Sequence, residues 1–253
     1  MKAVDINSDM GESLSVYRTE NDERLLRYVT SANIACGYHA GDPVVMAATI
    51  AACKRRGVGI GAHPSFPDRK GFGRRRMEVG EDELVDMLAY QVGALDGIAR
   101  SLDASVFHIK AHGALYNMAW KRKDYADAIA RCARLFGKAV LAPADSAMEV
   151  SARAAKVRFA AEAFADRGYL SDGTLAPRGK PGALITDPSK AAERALRLLD
   201  GSAIKAVDGG TVQITAMSLC VHGDTPGASL IARAVSNRLK AAGFRPRPLG
   251  KIL

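Results

Sequence analysis

The chain has 253 residues, 48% of them hydrophobic and 25% charged, which is globular usage that excludes a disordered chain and suffices for one α/β barrel of about 250 residues. Its net charge of +9 raises a nucleic-acid reading through Arg74-Arg75-Arg76 and the tail from Arg245, but the basic residues are scattered along helical faces and aromatics are sparse. No nucleic-acid partner is expected, and the basic field suits an acidic small molecule or a phosphorylated intermediate instead.

In chain order, short β-branched runs alternate with longer helical patterns, as a parallel α/β domain requires. Strands are predicted near 2–7, 31–36, 58–62, 106–111, 139–142, 157–162 and 212–221, and helices over about 21–30, 43–56, 80–102, 121–136, 145–155, 187–200 and 226–242. Asp42-Pro43 and Asp187-Pro188 read as an N-cap followed by proline in the first turn, and Gly57 as a stop. The segment 166–182, punctuated by Gly168, Gly173, Pro177, Gly179, Pro181 and Gly182, reads as a long loop. No linker or repeat divides residues 1–253, so one domain is expected. Seven strands are counted, and periodicity leaves a closed barrel and an open doubly wound sheet both available. No Gly-x-Gly-x-x-Gly follows the first strand, against dinucleotide binding.

Cys36, Cys53, Cys132 and Cys220 are far apart and without a Cys-x-x-Cys pair, so they read as reduced thiols. The N-terminus turns polar before a signal peptide or membrane span could form, so a cytoplasmic location and no membrane partner are expected.

The chemistry concentrates where strands end. The first runs into Asn7-Ser-Asp9-Met-Gly-Glu12, the second into Gly37-Tyr-His39-Ala-Gly-Asp42, and the third into His63-Pro-Ser-Phe-Pro-Asp68. The fourth ends Lys110-Ala-His112-Gly-Ala-Leu-Tyr116-Asn117, the sixth reaches Glu162 and then Asp166-Arg167, and the last ends Cys220-Val-His222-Gly-Asp224. Parallel strands present their C-terminal ends on one face, so these residues converge around one pocket. Four of the five histidines fall there; His108, inside the fourth strand, reads as structural. Candidate catalytic residues are Asp9, His39, His63, Lys110 and Glu162. Candidate substrate-binding residues are Asn7, Glu12, His112, Tyr116, Asp166, Arg167, His222 and Asp224.

Each has a blander reading beside it. Asn7, Asp9 and Asp42 are also good turn or cap residues, and Glu12 could be a solvated side chain. Gly11, Gly37, Gly41, Gly113 and Gly223 allow tight turns or close backbone approach. Lys110, ending an apolar strand, must be paired with a carboxylate such as Asp9 or Glu162, bind a substrate anion or oxyanion, or be neutral. An Asp with two His could hold Zn²⁺ and a bound water, or a carboxylate or His could act as general base while Lys110 or Arg167 holds an anion. There is no His-Glu-x-x-His, so no metal ligand is assigned and a divalent ion is left open; there is no Gly-x-Ser-x-Gly for a nucleophilic triad.

These segments, together with Ser31–Pro43, Gly61–Asp68, Gly71-Phe-Gly-Arg-Arg75, Lys110–Asn117, Glu162–Tyr169 and Cys220–Pro226, resemble the LamB/YcsF family nearly end to end. Ala111 stands where the family often has proline, and Ser13–Tyr17 lacks a common glycine, which leaves local loop shape open. The resemblance implies a seven-stranded (β/α) barrel, TIM-barrel-like and similar to the glycoside hydrolase/deacetylase superfamily. It further implies the role of the A component in an ATP-dependent 5-oxoprolinase, converting 5-oxoproline to glutamate with partner subunits B and C. The chain has no Gly-x-x-x-x-Gly-Lys-Ser/Thr loop, so ATP is expected as a co-substrate handled largely by the partners or across an interface. The rival expectation is a metal-dependent deacetylase acting on a carbohydrate or small amide, motivated by Asp9, His39 and His63; a basic binding module without catalysis is a third.

Overall fold

The structure is a computed structural model that describes residues 2–13 and 21–253. Seven parallel strands close into a barrel: β1 (Ala3–Met10), β2 (Ser31–Ala35), β3 (Gly59–His63), β4 (Val106–Ile109), β5 (Ala139–Ala142), β6 (Phe159–Phe164) and, after the short hairpin β7 (Ile204–Lys205) and β8 (Thr211–Val212), β9 (Ser218–Cys220). Closure comes from β9 pairing with both β6 and β1, in the register Glu162↔Ser218 and Asp5↔Ser218. A last short strand, β10 (Arg245–Pro246), pairs with the start of β1.

Around the barrel lie α1 (Asn21–Leu25), α2 (Pro43–Arg56), α3 (Glu81–Ser101), α4 (Gly113–Ala119), α5 (Lys123–Phe136), α6 (Ala147–Ala154), α7 (Pro188–Asp200) and α8 (Ala228–Ala241). The helix signals act as expected. Asp42 accepts from the backbone N–H groups of Val44 and Val45, Asp187 from those of Ser189 and Lys190, and Gly57 ends α2 at φ +66°. No helix among the described residues is long and apolar enough to cross a membrane. All four cysteines are buried and free.

The strand pleat sorts side chains between two environments. From β1, Val4, Ile6 and Met10 join the apolar layer under the helices, while Asp5, Asn7 and Asp9 reach across the barrel interior to partners on β2, β6 and β9 and to Lys110 just past β4. The interior is therefore largely polar. His108 lies in it, with Nε2 donating to Asn33 Oδ1 at 2.7 Å, and burial, with Lys110 beside it, lowers its pKa to about 3. Gly61 makes room for that ring, because a Cβ there would stand 2.1 Å from His108 Nε2.

Three expectations differ from what is observed. The strand predicted over 212–221 is two pieces, since β8 turns back antiparallel on β7 through Gly209 and Gly210, both at positive φ, before β9 enters the barrel. The helix predicted over 21–30 ends at Leu25 and continues as turns. Helix α4, unpredicted, begins directly after the fourth strand's end. The loop over 166–182 is present, pinned by bridges Arg167↔Leu184 and Tyr169↔Leu175. Of the Ser13–Tyr17 departure, residues 14–17 lie outside the described residues.

Candidate active site

The strand ends open into a cavity of about 550 Å³ whose floor includes Asp9, His63 and Lys110. Each is placed by the last residues of its strand, or the first beyond it, so barrel register sets their spacing. Lys110 Nζ lies 3.1 Å from Asp9 Oδ1, 2.9 Å from Glu162 Oε1, 3.2 Å from Asn7 Oδ1 and 3.1 Å from Cys220 Sγ. Burial alone would lower the Lys110 pKa, but Asp9 and Glu162 hold it well above the ordinary lysine value. Burial would likewise raise Asp9, yet His63 and Lys110 hold its carboxyl well below the usual carboxylate range. The floor is thus a fixed carboxylate beside an imidazole, His63 Nε2 lying 3.3 Å from Asp9 Oδ2.

On one wall three imidazoles meet. His39 stacks on His112 with centroids 3.8 Å apart and planes at 6°, and His63 meets His112 edge-on at 4.8 Å. Glu12 Oε1 lies 3.2 Å from His39 Nε2 and 3.5 Å from His112 Nδ1. Burial, then the neighbouring imidazoles, drives the pKa of His39 well down and that of His112 to about 3. Glu12 goes the other way, raised by burial and by the Asp9 charge.

The opposite wall carries Tyr116, which donates to Glu162 Oε2 at 3.0 Å, and His222, whose ring is held by Asp166 at 3.0 Å and stacked on Phe164. At the rim Asp224 pairs with Arg74 at 2.5 Å and Arg178 at 3.3 Å, among a group of cations that also includes Arg76, Lys121 and Arg167. Cations outnumber carboxylates there, which favours an anionic ligand.

Of the residues singled out in the sequence, Asp9, Glu12, His63, Lys110, His112, Tyr116, Arg167, His222 and Asp224 line this cavity. Four do not. Asn7 is fully buried beneath the floor, its amide satisfied by Glu162, Ser218, Asn33 and Lys110. Asp166 is fully buried behind His222, accepting from the ring, from the His222 backbone and from Thr225. His39 lies behind His112, and Glu162 behind Lys110, where it reaches a second cavity of about 240 Å³. Around Lys110, whose ammonium has three N–H groups, stand four protein acceptors. Arg167 spends its guanidinium on the Ala176 and Ala183 carbonyls and so braces the 166–182 loop.

Sequence reasoning missed Arg74, Arg178, Phe72 and Phe164. Arg74 belongs to the basic run read as surface, and its pairing with Asp224, 150 residues away, leaves no local signal.

The LamB/YcsF family model matches residues 4–253. The chain is 47% identical to a protein of Bordetella pertussis named as the A subunit of 5-oxoprolinase, covering 96% of this chain and 97% of that one. The 5-oxoprolinase A subunit of Nocardia farcinica is 48% identical over 95% and 96%. Among solved structures, a lactam utilization protein from Thermus thermophilus superposes with a TM-score of 0.91 at 41% identity, covering 98% of this chain and all of that one. A family 4 carbohydrate esterase from Streptomyces lividans, at 9% identity and a TM-score of 0.50, shares the fold alone. With a match that runs from the first strand to the C-terminus and relatives nearly half identical along their whole length, this chain belongs to the LamB/YcsF family.

Proposed function

We propose that this chain is the A component of a cytoplasmic, ATP-hydrolysing 5-oxoprolinase that opens the lactam of 5-oxo-L-proline to L-glutamate together with subunits B and C. The observation that carries the reading is the full-length similarity to relatives named for that role. The site supports it through an ionised carboxylate at the floor of a cation-rimmed cavity.

An unstrained five-membered lactam resists water, so ATP serves to activate its carbonyl: the γ-phosphoryl group passes to the carbonyl oxygen and ADP leaves. Water then adds its oxygen to the carbonyl carbon, the C–N bond breaks with a proton going to the nitrogen, which leaves as the amine, and the acyl phosphate that remains is hydrolysed by a second water to the carboxylate and phosphate. Asp9, with His63 beside it, accepts the proton of the attacking water. Tyr116 and His222, on the far wall, serve the side of the departing nitrogen. The rim arginines Arg74 and Arg178 draw in the substrate carboxylate. Lys110 acts through Asp9, holding that carboxylate charged and oriented, and so is a positioning residue. Nucleotide handling falls to the partners or to an interface with them.

The test is glutamate release from 5-oxoproline and ATP, measured on the chain alone and after adding candidate B and C subunits. Little or no release by the chain alone and robust release by the assembly is expected. Full turnover without partners would overturn the division of labour, and an inert assembly would overturn the activity.

A further inference from the structure

Two imidazoles in this site face each other through nitrogens that no backbone group occupies. The Lys110 carbonyl, 2.8 Å from His63 Nδ1, can only accept, so Nδ1 donates to it and Nε2 is the nitrogen left to face the neighbouring rings. The Phe72 carbonyl, 2.8 Å from His112 Nε2, takes a proton from that nitrogen in the same way and leaves Nδ1 facing His63. The two facing nitrogens stand 3.0 Å apart. With the other nitrogen of each ring committed to a carbonyl, that contact is closed by a proton or a metal cation between the two.

Carboxyl oxygens stand beside both nitrogens: Glu12 Oε1 lies 3.5 Å from His112 Nδ1, and Asp9 Oδ2 lies 3.3 Å from His63 Nε2. Glu12 Oε1 also contacts His39 Nε2, a ring that is 1% exposed and whose Nδ1 has no hydrogen-bond partner among the described residues. One ligand atom from each of Glu12, His39, His63 and His112 can be chosen so that all lie within 4.8 Å of one another.

We propose that Glu12, His63 and His112 form a binding site for one divalent transition-metal ion of the zinc or cobalt class, with His39 stacked on His112 and outside the ligand set. Ligands about 2.1 Å from a tetrahedral ion stand roughly 3.4 Å apart, and the two spacings from His112 Nδ1, 3.0 Å to His63 Nε2 and 3.5 Å to Glu12 Oε1, surround that value. Two imidazole nitrogens with one carboxylate select a borderline ion over magnesium or calcium, which require oxygen ligands. The two backbone carbonyls supply the outer hydrogen bonds that hold ligating imidazoles in the required tautomer. Glu12, His63 and His112 line the larger cavity, so an ion has a way in from solvent. The site stands independently of the 5-oxoprolinase reading, because its evidence is the facing of the nitrogens and not the reaction.

The test uses the whole chain, stripped with chelator and titrated with Co²⁺ and then Zn²⁺. One equivalent of Co²⁺ per chain, with the visible absorption of a nitrogen- and oxygen-bound ion that Zn²⁺ displaces, is the expected result. His63→Gln and His112→Gln should each weaken binding at least about 100-fold, the upper end of what even outer-sphere substitutions cost. Imidazole ¹⁵N NMR of the wild-type apo chain provides a measurement that no variant's folding can compromise: His63 should carry its proton on Nδ1 and His112 on Nε2, with Zn²⁺ shifting the other nitrogen of each. Absence of stoichiometric uptake would overturn the proposal, as would uptake unchanged in both folded variants. Loss in Cys220→Ser with retention in His112→Gln would place the ion instead against Asp9, Cys220 and His222 and overturn it equally. So would an apo spectrum showing an imidazolium at either ring at neutral pH without metal uptake.

Discussion

Lys110 lies between two carboxylates that are themselves almost wholly removed from water, Asp9 at 6% exposure and Glu162 at 1%. Removing one partner of a buried ion pair costs about 3–5 kcal/mol, because the remaining charge is stranded. Lys110→Met strands two. The variant is expected to lose stability on that scale, lowering its melting temperature by roughly 10 °C for a domain of this size. The loss should shrink at acid pH, since protonating either stranded carboxyl relieves it, and Lys110→Met/Glu162→Gln should recover part of it. A melting temperature unchanged by Lys110→Met at pH 7 would refute the positioning role. Two of the three options open for this lysine in the sequence, pairing and anion binding, are separated only by counting acceptors around Nζ, and those acceptors come from β1, β6 and β9.

At the scale of elements, the site's loops are held by backbone contacts that few substitutions could preserve. Gly113 opens α4 at φ +61°, and a Cβ there would sit 2.4 Å from the Gly73 carbonyl, which accepts from Ala114 N at 2.8 Å. Phe72, next to Gly73, supplies the carbonyl that fixes His112. Gly113→Ala should therefore cost about 2 kcal/mol or more from backbone conformation and overlap together, and it should disturb the imidazole cluster. Gly97→Ala, on α3 where nothing stands within 4 Å of the new methyl, should instead stabilise by up to about 1 kcal/mol. Thermal melts of the two variants side by side check this; equal shifts would sink it. The same stretch marks where sequence reading stops. Strand ends were legible because polar residues follow apolar runs at nearly every one, which brought nine of the thirteen candidate residues to the cavity wall. Helix α4 was hidden because its opening glycine reads as a turn and its seven residues are too few to show a helical period. The hairpin β7–β8 was hidden because Val212–Cys220 reads as one run of apolar and β-branched residues, and only the tertiary pairing of β8 with β7 shows where it divides.

At the scale of the whole molecule, the polar interior joins the barrel's two ends. Asp5, fully buried near the start of β1, accepts from Thr30 and Ser31 at 2.7 Å each and from Ser218, tying β1 to β2 on one side and to β9 on the other. Ser31 also receives the backbone N–H of Leu249, so the chain's C-terminal turn is fastened to the same carboxylate. Ser218 receives Asn7, which leads on to Glu162, Lys110 and Asp9. Burial, opposed by these hydroxyls, raises the Asp5 pKa from 3.8 to about 6. The sign of its contribution follows from proton binding: between those two values the folded chain holds more protons on Asp5 than the unfolded chain does, so stability falls as pH rises through that window. The charged form costs on the order of 3 kcal/mol above about pH 6 relative to the protonated form below about pH 4. Acid also adds positive charge to a chain already at +9, which destabilises it as a whole, so the informative quantity is the difference between wild type and Asp5→Asn, in which that shared effect cancels. The wild type should gain on Asp5→Asn as pH falls from about 7 to about 4, with the change concentrated around pH 4–6. A difference that stays flat across this range would mean that Asp5 titrates as an ordinary carboxyl and that the hydroxyls closing the barrel fully offset its burial.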